Sequence, residues 1–351
     1  MYFPWEGFYK MPNAKEIIYK TLYRSGVQRL FSYFNRHKLS IICFHSISVQ
    51  DEHEFWPGVF ISKEKLIQVL DYLQDSRYQV ITLAEAKRHL KGEVKYDYPV
   101  VITIDDGWYR SVVDMLPILA QYNFPSTMYV TTYYVNHRIP VVNVLIQYML
   151  WKSNTTAFRI EIDGESHHFT GTAVEIVRQV EDFLKGKTEQ EITQFLYAAA
   201  DALNVDREVI DQKLFHNADY DDLRQAHQSP LVDLQLHTHV HNLPNEKEQL
   251  EHQIVRNKAL MEQALDCRNE LNDFCYPSGI WHPAQIPHLE ELGIETATTL
   301  DEGLNKIGGH TLKLRRNLVM NNGSLLHVKM ALSGTFDSVR GLKGALKAGS
   351  Y

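Results

Sequence analysis

The chain alternates between short apolar runs and longer segments in which apolar residues recur every three or four positions. The short runs predict β-strands, and the longer segments predict amphipathic helices. Strands are expected at 40–47, 100–107, 126–134, 231–239, 273–279 and 295–300, with helices near 62–75, 110–122, 245–268 and 283–292. Because strands and helices alternate, the pattern indicates a parallel β-sheet, either open or closed into a barrel.

This alternation is interrupted between residues 136 and 230. Helical spacing dominates 172–204, and 157–171 is typical of a β-hairpin that turns at Asp163 and Gly164. We interpret 136–230 as an insertion within a main domain. That domain is predicted to form from 39–135 and 231–335, and 336–351 is expected to be a basic C-terminal tail.

The N-terminal segment 1–38 is predicted to be helical and amphipathic. Residues 14–38 combine helical apolar spacing with six Lys or Arg residues against one Glu. Two interpretations stay open. The helix either packs on the main domain, or it lies at a membrane surface and contacts anionic lipid headgroups.

Composition narrows the class of protein. The 351 residues are 44% hydrophobic and 23% charged, as in globular proteins with a sizeable core, and the net charge of -7 argues against a nucleic-acid partner. Three scattered cysteines (Cys43, Cys267 and Cys275) favour neither a disulfide framework nor a cysteine-based zinc site. The N-terminus lacks an apolar signal-peptide core, and the most apolar run, 139–151, is too short to span a bilayer. We therefore expect a reduced, cytoplasmic protein.

Unusual polar residues follow three of the predicted strands. Asp105 and Asp106 end one strand, "HTHVH" (237–241) ends another, and "YPSG" (276–279) ends a third. In a parallel α/β barrel the carboxyl ends of the strands meet on one face, so these residues are expected to form one site. One carboxylate and two imidazoles can hold a divalent cation with positions left open for water and substrate. A cation would also offset the repulsion between adjacent carboxylates.

The order and spacing of these motifs resemble a known family. "TIDDG" (103–107), "HTHVH" (237–241) and "FCYPSG" (274–279) look like the three leading motifs of the polysaccharide deacetylases, the NodB-homology or carbohydrate esterase 4 family. "CFHSI", "ATTLDEGLN" and "LKLRRNLV" resemble the first and the later strands of that family, so the resemblance covers about 39–135 and 215–335. It implies an α/β fold, a deformed (β/α) barrel, to which this chain adds the helical and hairpin insertion and the N-terminal helix.

The resemblance also implies the metal ligands. These match Asp106 and the outer histidines of the pentapeptide, His237 and His241, with Zn²⁺ expected and Co²⁺, Ni²⁺ or another divalent cation as alternatives. Thr238 matches a supporting hydroxyl. His239 falls outside the family pattern, and we expect it to support the site or the fold rather than to bind the metal.

The same resemblance assigns the remaining catalytic parts. Asp105 matches the general base, and the backbone amide of Ser278 matches the oxyanion donor, so the Ser278 hydroxyl is not expected to be a nucleophile. Tyr276, Ser278 and Trp108 are assigned to substrate binding. For Trp108 a role in the core is the open alternative to stacking on a sugar ring.

Two positions depart from the family pattern. Cys275 stands where members commonly carry an arginine that pairs with the base, and Arg316 is expected to replace that charge; the alternative is a surface ion pair. The late Leu-x-His motif that supplies the acid is not clear in this sequence. His45 and His282 are therefore the candidate acids, with His327 as a weaker one.

These assignments predict a metal-dependent hydrolase that removes an N-acyl group, in the first instance N-acetyl, from an amino sugar. The expected substrate is a cytoplasmic nucleotide-linked or lipid-linked sugar or nascent glycan of surface-glycan, O-antigen or capsule synthesis, with peripheral contact at the inner membrane. One alternative is a deformylase acting on a lipid- or nucleotide-linked formamido sugar. Others are a catalytically impaired carbohydrate-binding relic and an amidohydrolase-type barrel. The amidohydrolase-type barrel is disfavoured because its His-x-His motif precedes its Asp along the sequence, whereas in this chain the aspartates come first.

Overall fold

The computed structural model describes residues 13–162, 164–266 and 270–348, which contain the predicted alternation of strands and helices. The strands are β1 (Ser40–Phe44), β2 (Ser46–Ile47), β3 (Phe60–Ile61), β4 (Gln79–Val80), β5 (Pro99–Ile104), β6 (Ser126–Val130), β7 (Ala157–Ile162), β8 (Glu165–Thr170), β9 (Val232–Leu236), β10 (Asp273–Cys275), β11 (Thr296–Thr298) and β12 (Asn317–Leu318).

The helices lie between and around these strands. They are α1 (Asn13–Arg24), α2 (Val27–Phe34), α3 (Glu52–Phe55), α4 (Lys63–Asp75), α5 (Leu83–Leu90), α6 (Leu116–Gln121), α7 (Thr132–His137), α8 (Val142–Ser153), α9 (Ala173–Leu184), α10 (Glu189–Ala202), α11 (Glu208–Asp211), α12 (Tyr220–His227), α13 (Lys247–Leu265), α14 (Ile286–Glu291), α15 (Leu325–Leu332) and α16 (Thr335–Ala348). Within the described ranges, no helix combines the length and the apolarity needed to cross a bilayer.

The main sheet is parallel and curls into a deformed barrel, which confirms the predicted fold class. Its strand order is β11-β10-β9-β6-β5-β1-β12, with β4 paired to the start of β5. A parallel bridge joins Thr298, at the end of β11, to Leu314, whereas β12, which begins at Asn317, pairs with β1. The segment between Leu314 and Asn317 therefore links the two edges of the sheet; we call it the barrel seam.

The barrel core explains why the strands are so uniformly apolar. Both faces of β1 and β5 are buried, because helices cover the outside and side chains fill the inside. One contiguous apolar cluster joins the strands to α4 and α13, for example through Ile102, Leu70 and Ile254. This packing fixes the strand ends at which the unusual polar residues lie.

The insertion forms a second apolar core beside the barrel. Residues from Ile139 to Phe215 share this core with Trp56, Phe60 and Trp108 of the barrel. The predicted hairpin is present as β7 and β8, although Asp163 of its turn lies outside the described residues. Helix α12, within the predicted insertion 136–230, packs in the barrel core through Leu223.

Both chain ends differ from the simplest expectation. The N-terminal helical segment is two helices, because Gly26 at φ 75° breaks it, and residues 1–12 lie outside the described part. Tyr19 and Leu22 of α1 pack against Met330 and Ala331 of α15, so the segment contacts the main domain. As far as residue 348, the expected basic C-terminal tail is helical and forms α16.

Candidate metal centre and active site

The carboxyl ends of β5, β9 and β10 carry a cluster of non-glycine residues with left-handed backbone. Asp106 (φ 73°), Thr238 (φ 64°), His241 (φ 53°) and Ser278 (φ 57°) all belong to the predicted motifs. Such conformations are costly for residues with a Cβ, and they persist where surrounding contacts hold them. Their concentration at one edge of the sheet is typical of a functional site.

Asp106 and two imidazoles face one another across a small gap. The Nε2 atoms of His237 and His241 each lie 3.2 Å from Asp106 Oδ1. Neither approach has hydrogen-bond geometry, so this buried oxygen has no hydrogen-bond partner among the described residues. His237 Nδ1 lies 2.8 Å from the Cys275 carbonyl oxygen, to which only an N–H can donate, and this directs the other ring nitrogen, Nε2, at Asp106.

These three side chains fit a divalent cation. Their ligand atoms lie within 4.8 Å of one another, and a carboxylate with two imidazoles is a donor set that zinc accepts. A cation would satisfy the lone pairs that converge on the gap. Burial opposes ionisation of Asp106, yet His241 and His237 hold its pKa well below the ordinary value.

The neighbouring carboxylate, Asp105, is held by a buried arginine. Arg316 Nη1 donates to Asp105 Oδ1 at 2.7 Å, and Nη2 donates to Oδ2 at 2.8 Å. Burial would raise the pKa of Asp105, but the charge and hydrogen bonds of Arg316 lower it to about 2. Arg316 has no exposed surface, so the alternative of a surface ion pair is wrong.

Arg316 belongs to the barrel seam and is anchored there. Its Nε donates to the Thr299 carbonyl at 2.8 Å, and Nη1 also donates to Thr103 Oγ1 at 3.2 Å. All three nitrogen atoms of the guanidinium therefore have partners, which is what a fully buried charge requires.

Two cysteine side chains lie beside Asp105. Cys43 Sγ and Cys275 Sγ each lie 3.5 Å from Asp105 Oδ2, and Cys275 Sγ is 3.1 Å from Arg316 Nη2. Burial raises the pKa of Cys43, so it is a neutral thiol. The sulfur atoms lie close enough to Asp105 to bind an ion with it, but the guanidinium already occupies both carboxylate oxygens.

Of the three candidate acids, only His45 lies beside the carboxylates. Its Nε2 is 3.8 Å from Asp105 Oδ2, and its buried Nδ1 has no hydrogen-bond partner within the described ranges. His282 Nδ1 instead accepts a hydrogen bond from the backbone of the turn that follows it. His327 packs against the ring of Phe336 at 4.8 Å. This placement favours His45 and gives no support to the other two.

The loop after β10 differs in part from the expectation. The Tyr276 side chain is fully buried and donates its hydroxyl to the Leu312 carbonyl at 2.9 Å, a placement that gives no support to the expected role in substrate binding. Ser278 follows in the loop with its left-handed backbone. Gly279 is required next to it, because a Cβ there would lie 2.5 Å from the backbone nitrogen of Leu300. The Ser278 amide as oxyanion donor stays a prediction.

Asn257 is a supporting residue that the sequence analysis missed. It is fully buried on α13, and its Oδ1 accepts from the His237 backbone amide at 3.0 Å. Its Nδ2 donates to the Val130 carbonyl at 3.0 Å and to Thr132 Oγ1 at 3.1 Å. Asn257 continues the apolar spacing that begins at Leu250 on this helix. A polar residue at such a position was the signal that could have revealed it.

His239 lies outside the cluster of Asp106, His237 and His241, beside Thr132. Its Nδ1 is 3.0 Å from Thr132 Oγ1, and its backbone oxygen accepts from Tyr133. Burial lowers the pKa of His239 to about 4, so the ring is neutral. These contacts fit the supporting role expected for it.

A cavity of about 260 Å³ opens beside the Asp106 cluster. Asp106 and His241 form part of its wall, and Trp108 donates its Nε1 hydrogen to Asp106 Oδ2 at 2.9 Å. The other walls come from five short segments of the barrel and the insertion: Trp56 and Val59; Thr131, Tyr133 and Tyr134; Val141, Asn143 and Val144; Glu181; and Asn217, with Val240 beside His241. Most of this lining is apolar or aromatic.

Comparisons with known proteins agree with this architecture. The chain is 16% identical to the Streptococcus pyogenes deacetylase PplD in complex with acetate (TM-score 0.55, 85% of this chain and 99% of that one). It is 16% identical to a de-N-acetylase from Aggregatibacter actinomycetemcomitans (TM-score 0.55, 83% and 98%) and 17% identical to IcaB from Ammonifex degensii (TM-score 0.53, 85% and 97%). At such identities the likeness concerns the fold.

Sequence comparison identifies the family. The Bacillus subtilis protein named "Putative polysaccharide deacetylase YxkH" is 28% identical over 102 residues, which is 29% of this chain and spans 34% of that relative's length. The sequence profile described as "Polysaccharide deacetylase" matches residues 94–297, more than half of the chain and the whole stretch from before Asp105 to beyond Ser278. The chain therefore belongs to the polysaccharide deacetylase family.

Proposed function

We propose that this protein is a metal-dependent hydrolase that removes an N-acyl group, in the first instance N-acetyl, from an amino sugar. The observation that carries the proposal concerns Asp106 Oδ1, a buried oxygen without a hydrogen-bond partner among the described residues. The Nε2 atoms of His237 and His241 both converge on this oxygen. The ionised Asp105 lies next to that group, and membership of the deacetylase family supports carbohydrate deacetylation.

The protein residues divide the reaction between them. When bound, a divalent cation would supply Lewis acidity, which polarises the amide carbonyl and acidifies a water molecule. Asp105 accepts a proton from the attacking water, and Arg316 keeps that carboxylate ionised and oriented. A carboxylate with a pKa of about 2 is a weak base, so it depends on an acidified water. The Ser278 amide donates to the oxygen on which negative charge develops.

The departing amine needs a proton, because a sugar amide anion is a very poor leaving group. His45 is the proposed donor, since it is the candidate acid that lies beside Asp105. Water first adds to the carbonyl carbon, which forms the C–O bond and places negative charge on the carbonyl oxygen. The C–N bond then breaks as the C=O bond re-forms and the nitrogen takes up the proton, and the products are a carboxylate and a free amino sugar. Trp108 serves this site in two ways, as a hydrogen-bond donor to Asp106 and as part of the cavity wall.

The size and lining of the cavity favour a substrate that places a single sugar unit in it. Its volume lies just below the ~300–1,000 Å³ that is common for small-molecule sites, and its aromatic lining suits the apolar face of a pyranose. We therefore propose an amino sugar at the end of its carrier, on a nucleotide, a lipid or a nascent glycan. A cytoplasmic place in surface-glycan, O-antigen or capsule synthesis is part of this proposal, as is peripheral contact with the inner membrane.

Release of the acyl group from defined sugars tests the function. We expect the zinc-loaded protein to release acetate from N-acetyl amino sugars in free, nucleotide-linked or lipid-linked form, and the Asp105→Asn variant to release none. Release of formate alone from the matching N-formyl sugars would establish the deformylase alternative instead. Stoichiometric zinc binding without release from any of these sugars would favour the carbohydrate-binding relic and contradict the proposal.

Filling the cavity from the insertion side should impair catalysis while leaving the metal in place. Val141→Trp adds a large ring to the wall, and we expect kcat/KM to fall about tenfold or more with unchanged zinc stoichiometry. The control is Val255→Trp, which makes the same change at a side chain that is 52% exposed on α13. Equal kcat/KM for the two variants would mean that the cavity does not receive the substrate.

A further inference from the structure

Helix α2 packs on the protein through its polar side. Its buried residues are Gln28 and Ser32, and Asn35 at its C-cap is 8% exposed. Asn35 Nδ2 donates to the Ser333 carbonyl at 3.1 Å and to the Ser338 hydroxyl at 3.3 Å. Polar residues therefore make the contacts that apolar residues of a surface helix normally make.

The apolar side of the same helix faces solvent. Leu30 is 55% exposed, Tyr33 52% and Phe34 69%, and Tyr23 at the end of α1 is 41% exposed. We call these four residues the N-terminal apolar face. They are four of the nine large hydrophobic side chains that are exposed across the described ranges, yet they lie within twelve residues of sequence. A concentration of this kind marks an interaction surface rather than scattered surface apolarity.

Positive charge surrounds this face. Five cationic side chains lie between residues 20 and 38, and no acidic residue lies between them: Lys20, Arg24, Arg29, Arg36 and Lys38. Asp97 is an acidic neighbour from elsewhere in the chain, and it lies 3.9 Å from Arg36 and 3.0 Å from His37. The chain as a whole carries a net charge of -7, so this basic character is local.

We propose that the N-terminal apolar face docks on the surface of a bilayer that contains anionic lipid. Leu30 and Phe34, one turn apart on α2, would enter the boundary between headgroups and acyl chains, while the arginines and lysines contact lipid phosphates. A second copy of the chain fits this face less well, because a symmetric dimer would bring the two sets of cations together. The proposal identifies the residues of the membrane contact and does not depend on the hydrolase activity.

Vesicle sedimentation with the full chain tests the docking. We expect binding to vesicles of phosphatidylcholine with phosphatidylglycerol, weaker binding to phosphatidylcholine alone, and a decrease as salt rises. The double variant Leu30→Glu with Phe34→Glu should lower partitioning about tenfold or more, because it removes two exposed apolar groups and adds negative charge. Both side chains are exposed, so the thermal unfolding midpoint should be retained.

Val255→Glu is the matched control, since it places a carboxylate at another exposed apolar side chain and should leave vesicle binding unchanged. Equal binding of wild type and the double variant to anionic vesicles would overturn the proposal, as would no binding of the wild type to either vesicle. Sedimentation equilibrium provides a further outcome. A dimer that the double variant dissociates would assign this face to self-association and would also overturn it.

Discussion

Arg316→Met is expected to destabilise the protein by about 3–5 kcal/mol and to abolish its activity, because Asp105 would remain as a buried carboxylate without a counter-charge. Without the guanidinium, burial raises the pKa of Asp105 and favours the protonated form, which cannot accept a proton from water. Chemical denaturation measures the first effect, and the acyl-release assay measures the second.

The neighbouring residue provides the control. Arg315→Met removes an arginine that is 41% exposed and pairs with Asp337 at 3.2 Å, so we expect a loss of no more than about 1 kcal/mol and near-normal turnover. A second-site change tests the reason for the effect. Cys275 lies next to both Asp105 and Arg316, so Cys275→Arg combined with Arg316→Met should recover part of the lost stability and activity. A folded, active Arg316→Met variant would contradict the assigned role.

Replacing either histidine of the proposed metal site should remove activity with a much smaller effect on the fold. His237→Ala and His241→Ala each delete one of the three proposed ligands, and we expect turnover to fall about 10³-fold or more together with loss of stoichiometric zinc. Metal content of the purified variants, titration calorimetry with Zn²⁺ and acyl release are the measurements.

His239→Gln is the matched control within the same pentapeptide. His239 contacts Thr132 and lies outside the metal-binding group, so this variant should keep full zinc stoichiometry and most of its turnover. Loss of zinc from His239→Gln alone, with zinc retained by His241→Ala, would show that the ligand set has been assigned wrongly.

The local pattern of apolar and polar residues predicted the strands well because the packing of these strands is simple. A short apolar run between helices has few alternatives to a buried parallel strand, and β6 and β9 lie within the expected ranges. The pairing of Arg316 with Asp105 joins residues 211 positions apart, and no periodicity can indicate such a contact. Only the resemblance to a family, in which a missing arginine had to be replaced, made it predictable.

Other features depended on tertiary packing that spacing does not encode. Helical periodicity showed that the N-terminal segment is amphipathic, but not that α2 would bury Gln28 and Ser32 and expose Phe34. Tyr276 was expected to contact substrate because it lies in the "YPSG" loop. In the structure its ring is part of the barrel core, and its hydroxyl donates to a backbone carbonyl. Asn257 had a usable signal, a polar residue on the apolar side of α13, but its partner on the histidine loop required the structure.

The position of Arg316 in the barrel seam links catalytic competence to completion of the fold. The same guanidinium holds Asp105 in the interior and the Thr299 carbonyl beside β11, at the point where the two edges of the sheet are joined. If these edges separate, even in a molecule whose remaining strands stay paired, Asp105, the proposed base, loses its counter-ion. Local opening at the barrel seam should thus inactivate the protein before it unfolds globally. By the same reasoning, a chain that has not yet closed its barrel should not hydrolyse substrate.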